Sequence, residues 1–221
     1  MDITVLITGT SSGIGEATAK MFTDCGIYVK GLDIADCPEG LRDNEFYSHH
    51  ICDVSNPCEL PDFDGVQFKW VINNAGTLDP ARALDVNLAA LFAIEDKYVT
   101  TATKCVVNIS CSAAHLGIEN REYVASKGGV LSYTRQLAKR MAAWGGRCVS
   151  ISPGPVLSEM NDEIIHNATK RGAVSNQNLL KRWIEPAEIA QAIQFMCTCT
   201  CITGVDLIMD CGEHINHTEI V

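Results

Sequence analysis

The chain has 221 residues, enough for one domain with a substantial core. Its composition, 47% apolar and 20% charged, is that of an ordinary globular protein, and its net charge of -10 repels nucleic acid and anionic membrane surfaces. No stretch is long and apolar enough to span a bilayer, and "MDITVLITG" reads straight into a buried strand without a basic leader, so a cytoplasmic location is expected.

Taken in chain order, short β-rich runs alternate with longer amphipathic stretches. "ITVLITG" (3–9) is a first strand, followed by a helix from about Gly13 to Cys25. "YVKGLDI" (28–34) and "EFYSHHICDV" (45–54) hold the second and third strands. "FKWVINNAG" (68–76) is the fourth, with a helix around 82–98, and "KCVVNIS" (104–110) the fifth, with a long helix around 122–144. "GRCVSISPG" (146–154), a helix around 186–197 and "GVDLIMDCG" (204–212) complete the pattern. Such alternation predicts an α/β fold, a doubly wound parallel sheet in a single domain spanning 1–221. The more polar stretch 155–183 is expected to lie above the sheet as a substrate lid, with Met160, Ile164, Ile165 and Trp183 as its apolar residues.

Eleven cysteines lie scattered through apolar runs and read as reduced, mostly buried thiols rather than a disulfide framework. Cys197, Cys199 and Cys201 alternate in "CTCTC", but no histidine or second cysteine pair stands nearby at zinc spacing, and no metal is expected.

"TGTSSGIG" (8–15) joins the first strand to the first helix. Glycines at 9, 13 and 15 permit a tight turn and close approach of the backbone to a pyrophosphate, which the helix N-terminus then attracts. Asp33 ends the second strand, 18 residues beyond Gly15. An acidic group there can accept from an adenosine ribose and would repel a 2′-phosphate, so NAD is expected in preference to NADP.

These segments resemble the short-chain dehydrogenases/reductases, most broadly their 3-oxoacyl-carrier-protein-reductase-like members. The turn G-x-x-x-G-x-G (Gly9–Gly15), "CDV" (52–54), "NNAG" (73–76), "VNL" (86–88), "YVASK" (123–127) and "SPGPVLSEM" (152–160) run in the family's order. "RWIEPAEIAQAIQFM" and "ITGVDLIMDCG" resemble its C-terminal helix and strand. The resemblance implies a Rossmann-type fold with the dinucleotide held by Gly9, Ser11, Ser12, Gly13, Ile14 and Gly15 at the turn and by Asp33 at the ribose. It implies Asp53 and Val54 at the adenine, Asn74, Ala75 and Gly76 beside the fourth strand, and Pro153, Gly154 and Val156 at the nicotinamide end. Tyr123 is then the acid/base, Lys127 its activator and a ribose ligand, and Asn87 the holder of a water linking Lys127 to solvent. Tyr123 and Lys127 are four apart on a predicted helix and so share a face; an ammonium there favours the phenolate.

Besides a small change at Cys211 in "MDCG" (209–212), where the family commonly has Asp-Gly-Gly, the chain departs from the family pattern in three places. Only ten residues separate Gly76 from Asn87, and the connection 54–68 carries Pro57 and Pro61, so a full helix there is not expected. The shortened material should open one wall of the substrate site or alter an assembly surface. The serine that should hydrogen-bond the substrate oxygen is ambiguous within "SCS" (110–112). Counting forward from "VVNI" gives Cys111, counting back thirteen from Tyr123 gives Ser110, and Ser112 opens "SAAH", where His115 replaces the family's glycine. A thiol is the weaker donor, so a serine is expected, Ser110 and Ser112 standing about even.

The reading is an NAD(H)-dependent oxidoreductase that interconverts a secondary alcohol and a ketone. The alternative is a dinucleotide-binding protein of this fold with little or no turnover. Family members assemble through the tyrosine-bearing helix and the C-terminal elements, which implies a homodimer or homotetramer acting on a small molecule.

Overall fold

In the computed structural model, residues 3–216 are described. Seven parallel strands form one sheet: β1 (Thr4–Thr8), β2 (Tyr28–Asp33), β3 (Tyr47–Ile51), β4 (Trp70–Asn73), β5 (Cys105–Ile109), β6 (Arg147–Pro153) and β7 (Asp206–Met209). Their order across the sheet is β3-β2-β1-β4-β5-β6-β7. Thus β1 pairs with β2 on one side and β4 on the other. The chain winds outward from β1, returns to its other side, and winds outward again. Where the direction reverses, the strand ends diverge and leave a crevice at their C-terminal edge. The doubly wound single domain expected from the sequence is the fold observed.

The helices are α1 (Gly13–Asp24), α2 (Ala90–Tyr98), α3 (Ala113–Leu116), α4 (Arg121–Met141), α5 (Asp162–Ile165), α6 (Ala168–Asn176) and α7 (Pro186–Thr198). On one face of the sheet α1 packs against α7, with Phe22 set against Trp70 at 5.5 Å between ring centroids. Burying a phenylalanine in this way contributes about 1.5–3 kcal/mol. On the other face α2 and α4 cover β4, β5 and β6 through Ile94, Leu137 and Met141. The buried stripe of α4 runs Tyr123, Ser126, Lys127, Val130, Leu131, Thr134, Leu137, Ala138, Met141, the three-and-four spacing of a core-facing helix. Lys127 is therefore buried by the same periodicity that buries Val130 and Leu137.

No full helix forms between β3 and β4. A short 3₁₀ turn (Pro57–Glu59) leads instead into a loop whose Phe63 and Phe68 meet edge-on at 5.4 Å. Tyr98 Oη donates to the Pro61 carbonyl (2.7 Å) and Lys97 Nζ to that of Leu60 (2.7 Å), so the loop caps the face from α2. The predicted helix around 82–98 also opens differently: Asp85–Ala89 is a π-helical turn before α2. Such widened turns concentrate at functional positions, and this one carries Asn87.

Candidate active site

A cleft of about 440 Å³ lies above the crevice between the strand ends. At one end is the glycine turn. Gly9 and Gly13 have φ of 74° and 54°, a region that disfavours other residues. A Cβ on Gly15 would fall 1.8 Å from the Gly9 carbonyl oxygen, so the turn closes only because that atom is missing. Ser12 is the N-cap of α1, yet its side chain makes no capping bond, and Ser12, Gly13 and Ile14 at this uncapped helix start border the cleft. Asn74 Nδ2 donates to the carbonyls of Thr8 and Gly9 (both 3.0 Å), and Thr8 Oγ1 accepts from the N–H groups of Asn74 and Ala75 (3.0 and 2.9 Å). These bonds lock the β4 end onto the turn.

Asp33 presents its carboxylate at the β2 end, where Oδ2 accepts from Ser11 N (2.9 Å) and Oδ1 from Ala35 N (3.0 Å). Tyr47 and His49, which sequence reasoning did not single out, brace this corner. Tyr47 Oη donates to Thr10 Oγ1 (2.8 Å), and His49 Nε2 bonds the Ala35 carbonyl (2.8 Å). Farther along, Asp53 accepts from Ser55 Oγ (2.7 Å) and pairs with Arg82. Hydrogen bonding from Ser55, with the Arg82 guanidinium beside it, holds the Asp53 carboxyl below the usual range. Ile14, Val54, Gly76, Pro153, Gly154 and Val156 border the same space. A cradle that only glycine permits, uncapped helix N–H groups and an anchored carboxylate suit a dinucleotide: the turn would hold its phosphates and Asp33 its ribose.

At the other end stand the groups suited to proton transfer. Lys127 is 4% exposed, and its Nζ donates to the Ile109 carbonyl (2.9 Å) and lies 5.8 Å from the centre of the Tyr123 ring. Burial pushes the Lys127 amine down to about 8, so it still carries its proton at neutral pH. Burial pushes the Tyr123 phenol well above its ordinary value, and the neighbouring Cys111 and Glu119 push it the same way; the phenol is protonated before anything binds. Asn87, 1% exposed, accepts from Thr77 N (2.8 Å) and donates to the Thr77 carbonyl and Ser126 Oγ (both 3.0 Å). Gly76 fits between Asn87 and Lys127: a Cβ there would lie 3.3 Å from both Asn87 Oδ1 and Lys127 Nζ.

The three residues of "SCS" separate clearly. Ser110 continues the register of Asn108, whose Nδ2 reaches Thr134 on α4 (2.9 Å); accordingly Ser110 Oγ donates to the Lys127 carbonyl (2.9 Å) and supports the helix backbone. Ser112 Oγ is directed to Glu213 Oε2 (3.4 Å). Cys111 borders the cleft with Tyr123 and is among the groups that push the Tyr123 phenol up. All three residues border the cleft, and both serine hydroxyls are directed to partners within the protein. His115 lies on α3, where Nε2 pairs with Asp206 (2.8 Å) and ties that short helix to β7.

The shortened β4–α2 connection leaves Thr77 and Leu78 as one wall, and Asn120 Nδ2 secures the Leu78 carbonyl (3.0 Å). From the 155–183 segment Met160, Ile164 and Trp183 reach the cleft; Ile165 lies outside its lining. Cys197 is buried, while Cys199 and Cys201 bring their sulfurs to 3.7 Å at the end of α7.

Residues 9–214 match the family described as enoyl-(acyl carrier protein) reductase, one of the short-chain alcohol dehydrogenase type. The chain belongs to the short-chain dehydrogenase/reductase family. It is 29% identical to D-threitol dehydrogenase of Mycolicibacterium smegmatis, over 95% of this chain and 92% of that one. It is 27% identical to 3-oxoacyl-[acyl-carrier-protein] reductase of Rickettsia prowazekii, over 95% of both. At 29% identity, 94% of the chain spans 43% of a longer uncharacterized short-chain type dehydrogenase/reductase of Sinorhizobium fredii. Among solved structures, 4-hydroxyisoleucine dehydrogenase complexed with NADH superposes with a TM-score of 0.89 at 25% identity, covering 98% of this chain and 100% of that one. A structure from Agrobacterium tumefaciens with bound NADP superposes at 0.86 with 26% identity, over 97% of both chains. This dehydrogenase/reductase is an oxidoreductase of CH–OH donors built to use a nicotinamide dinucleotide. Among its described residues no helix is long and apolar enough to cross a membrane.

Proposed function

We propose that the chain is an NAD(H)-dependent oxidoreductase that interconverts a small secondary alcohol and its ketone, with Tyr123 as general acid/base. The observation that carries this reading is the convergence of Tyr123, Lys127 and Cys111 at the end of a cleft whose other end is a glycine cradle. A bound nicotinamide dinucleotide supplies the hydride acceptor or donor. Tyr123 Oη gives its proton to the carbonyl oxygen in reduction and takes it back from the hydroxyl in oxidation. Lys127, held by the Ile109 carbonyl, keeps a positive charge beneath the phenol and stabilises the phenolate as it forms. Asn87 fixes the Thr77 segment beside Lys127 and so shapes the route by which that proton exchanges with solvent.

The substrate oxygen receives its second hydrogen bond from Cys111, with Ser110 supporting α4 and Ser112 holding Glu213. The turn residues Gly9 to Gly15 bind the pyrophosphate, Asp53 and Val54 border the adenine, and Pro153, Gly154 and Val156 border the nicotinamide. NAD is preferred over NADP because the Asp33 carboxylate, fixed by two backbone N–H groups, meets the 2′ position with negative charge. We also assign the chain to the cytoplasm as a homo-oligomer, the exposed Phe92 packed on Tyr133 along α2 and α4 supplying an apolar face.

Nicotinamide absorbance, followed over a panel of secondary alcohols and ketones with NAD(H) and NADP(H), tests the reading. Turnover with NAD(H) is expected; tight dinucleotide binding without turnover of any member would leave the binding-protein alternative.

A further inference from the structure

Resting on the reading just given, we infer that the substrate carries a protonated amine near its carbinol carbon, and that the Glu213 carboxylate receives it. Glu213 follows the β7 end, within a 3₁₀ turn (Glu213–Ile215), and lines the substrate end of the cleft. Its Oε2 lies 3.4 Å from where a Cβ on Gly154 would stand and 3.4 Å from Ser112 Oγ, which places the carboxylate between the β6 end and the segment that carries Cys111. That single long contact with Ser112 is its one side-chain hydrogen bond among the described residues. A half-buried carboxylate accepts several hydrogen bonds when it is satisfied. Glu213 borders the same cleft as Tyr123, Cys111 and Gly154, so its remaining acceptor positions are available to a substrate seated there.

The surrounding charges select the ligand. Asp210, 2% exposed, stands behind Glu213 and is engaged by His214 N and Nδ1 (both 2.7 Å). Glu119 adds a second carboxylate to the cleft wall near Tyr123. Among the described residues only two cationic side chains line the cleft: Lys127, turned to the Ile109 carbonyl, and Arg82, paired with Asp53 at the adenine end. A carboxylate or phosphate on the substrate would therefore meet repulsion with no counter-charge. A neutral hydroxyl would gain a hydrogen bond and no more. An ammonium gains the hydrogen bond and the attraction of two carboxylates in a partly desolvated pocket. The same argument disfavours substrates carried on an acidic protein, which a chain of net charge -10 repels at long range.

Three alcohols that share one skeleton provide the test: isopropanolamine (cationic), propylene glycol (neutral) and lactate (anionic). Their kcat/KM values are to be compared with NAD for the wild type and Glu213→Gln. The expected order is amine, then diol, then lactate, with the amine favoured over the diol at least about tenfold, a ratio that falls to about one in Glu213→Gln. A second readout needs no turnover: calorimetric titration of the dinucleotide-loaded protein with the tertiary amino alcohol that has a methyl in place of the carbinol hydrogen. It should bind, and at least about tenfold more weakly to Glu213→Gln. Preference for the diol or lactate, or an amine preference that survives in Glu213→Gln, overturns the inference and leaves the oxidoreductase reading intact. If no alcohol turns over yet this amine with its tertiary carbinol binds through Glu213, the recognition stands and the reaction is wrong; if it does not bind, the inference fails.

Discussion

Ser110 Oγ donates to the main-chain carbonyl of Lys127 across 2.9 Å, so the residue that follows β5 holds the helix that carries both Tyr123 and Lys127. In the proposed reading Ser110 is therefore a positioning residue, and Cys111, which borders the cleft with Tyr123, is the group that touches the substrate oxygen. Ser110→Ala should lower stability by about 1 kcal/mol, the worth of one buried hydrogen bond, and affect kcat only through the helix. Cys111→Ala should lower kcat about tenfold or more, and Cys111→Ser should match or exceed the wild type because a hydroxyl is the better donor. Steady-state kinetics beside denaturant melts separates the two. A large kcat loss in Ser112→Ala with none in Cys111→Ala would reverse the assignment.

The Lys127 amine, pushed down to about 8 by burial from an ordinary value of 10.5, sets a pH dependence. In reduction, kcat/KM should hold through neutral pH and fall above about 8 as Lys127 loses its charge, while Tyr123 keeps its proton. Lys127→Arg, if it retains activity, should carry that limb to higher pH because a guanidinium stays charged. Stability moves the other way. Between about 8 and 10.5 the unfolded chain binds the proton that the folded chain has released, so this group's contribution to stability rises with pH across that window and is flat below it. Lys127→Met should accordingly abolish turnover and raise stability at neutral pH by on the order of 1–3 kcal/mol.

The Asp33 carboxylate, fixed by Ser11 N and Ala35 N, should govern the choice of dinucleotide. Asp33→Ala should weaken NADH binding about tenfold and narrow or invert its advantage over NADPH, read as a ratio of dissociation constants. An unchanged ratio would move the discrimination elsewhere in the cleft.

Gly15→Ala would place a Cβ 1.8 Å from the Gly9 carbonyl oxygen, a contact no side-chain rotation relieves. It should cost at least about 1–3 kcal/mol and abolish dinucleotide binding, measured by thermal melts with and without NADH. Gly26→Ala is the control: a Cβ there meets nothing within 4 Å, although φ is 70°, so a smaller loss with dinucleotide binding kept is expected.

The fold was legible because its signals are local. "ITVLITG" before a glycine turn, and seven apolar runs most of which are spaced by helices, describe a doubly wound sheet without reference to tertiary contacts. The missing helix after β3 was legible too, since Pro57 and Pro61 interrupt it. The spacing of Tyr123 and Lys127 put them on one helix face, and their roles came only with the family resemblance. What the sequence could not separate was Ser110, Cys111 and Ser112, because their directions depend on how the chain leaves the sheet after Ile109 rather than on residue type. The π-helical turn at Asn87 has no compositional sign. Glu213 is similarly silent: it meets Ser112 across 101 positions of chain, and only the folded sheet brings the two together.

The most direct test of the account is Tyr123→Phe, assayed for single-turnover oxidation of nicotinamide absorbance with a ketone and, separately, for NADH affinity. The phenyl ring preserves packing and removes only the hydroxyl that is to transfer the proton. The account predicts a fall in the rate of at least about a hundredfold with NADH affinity within about twofold of the wild type. A variant that turns over ketone at the wild-type rate would contradict it.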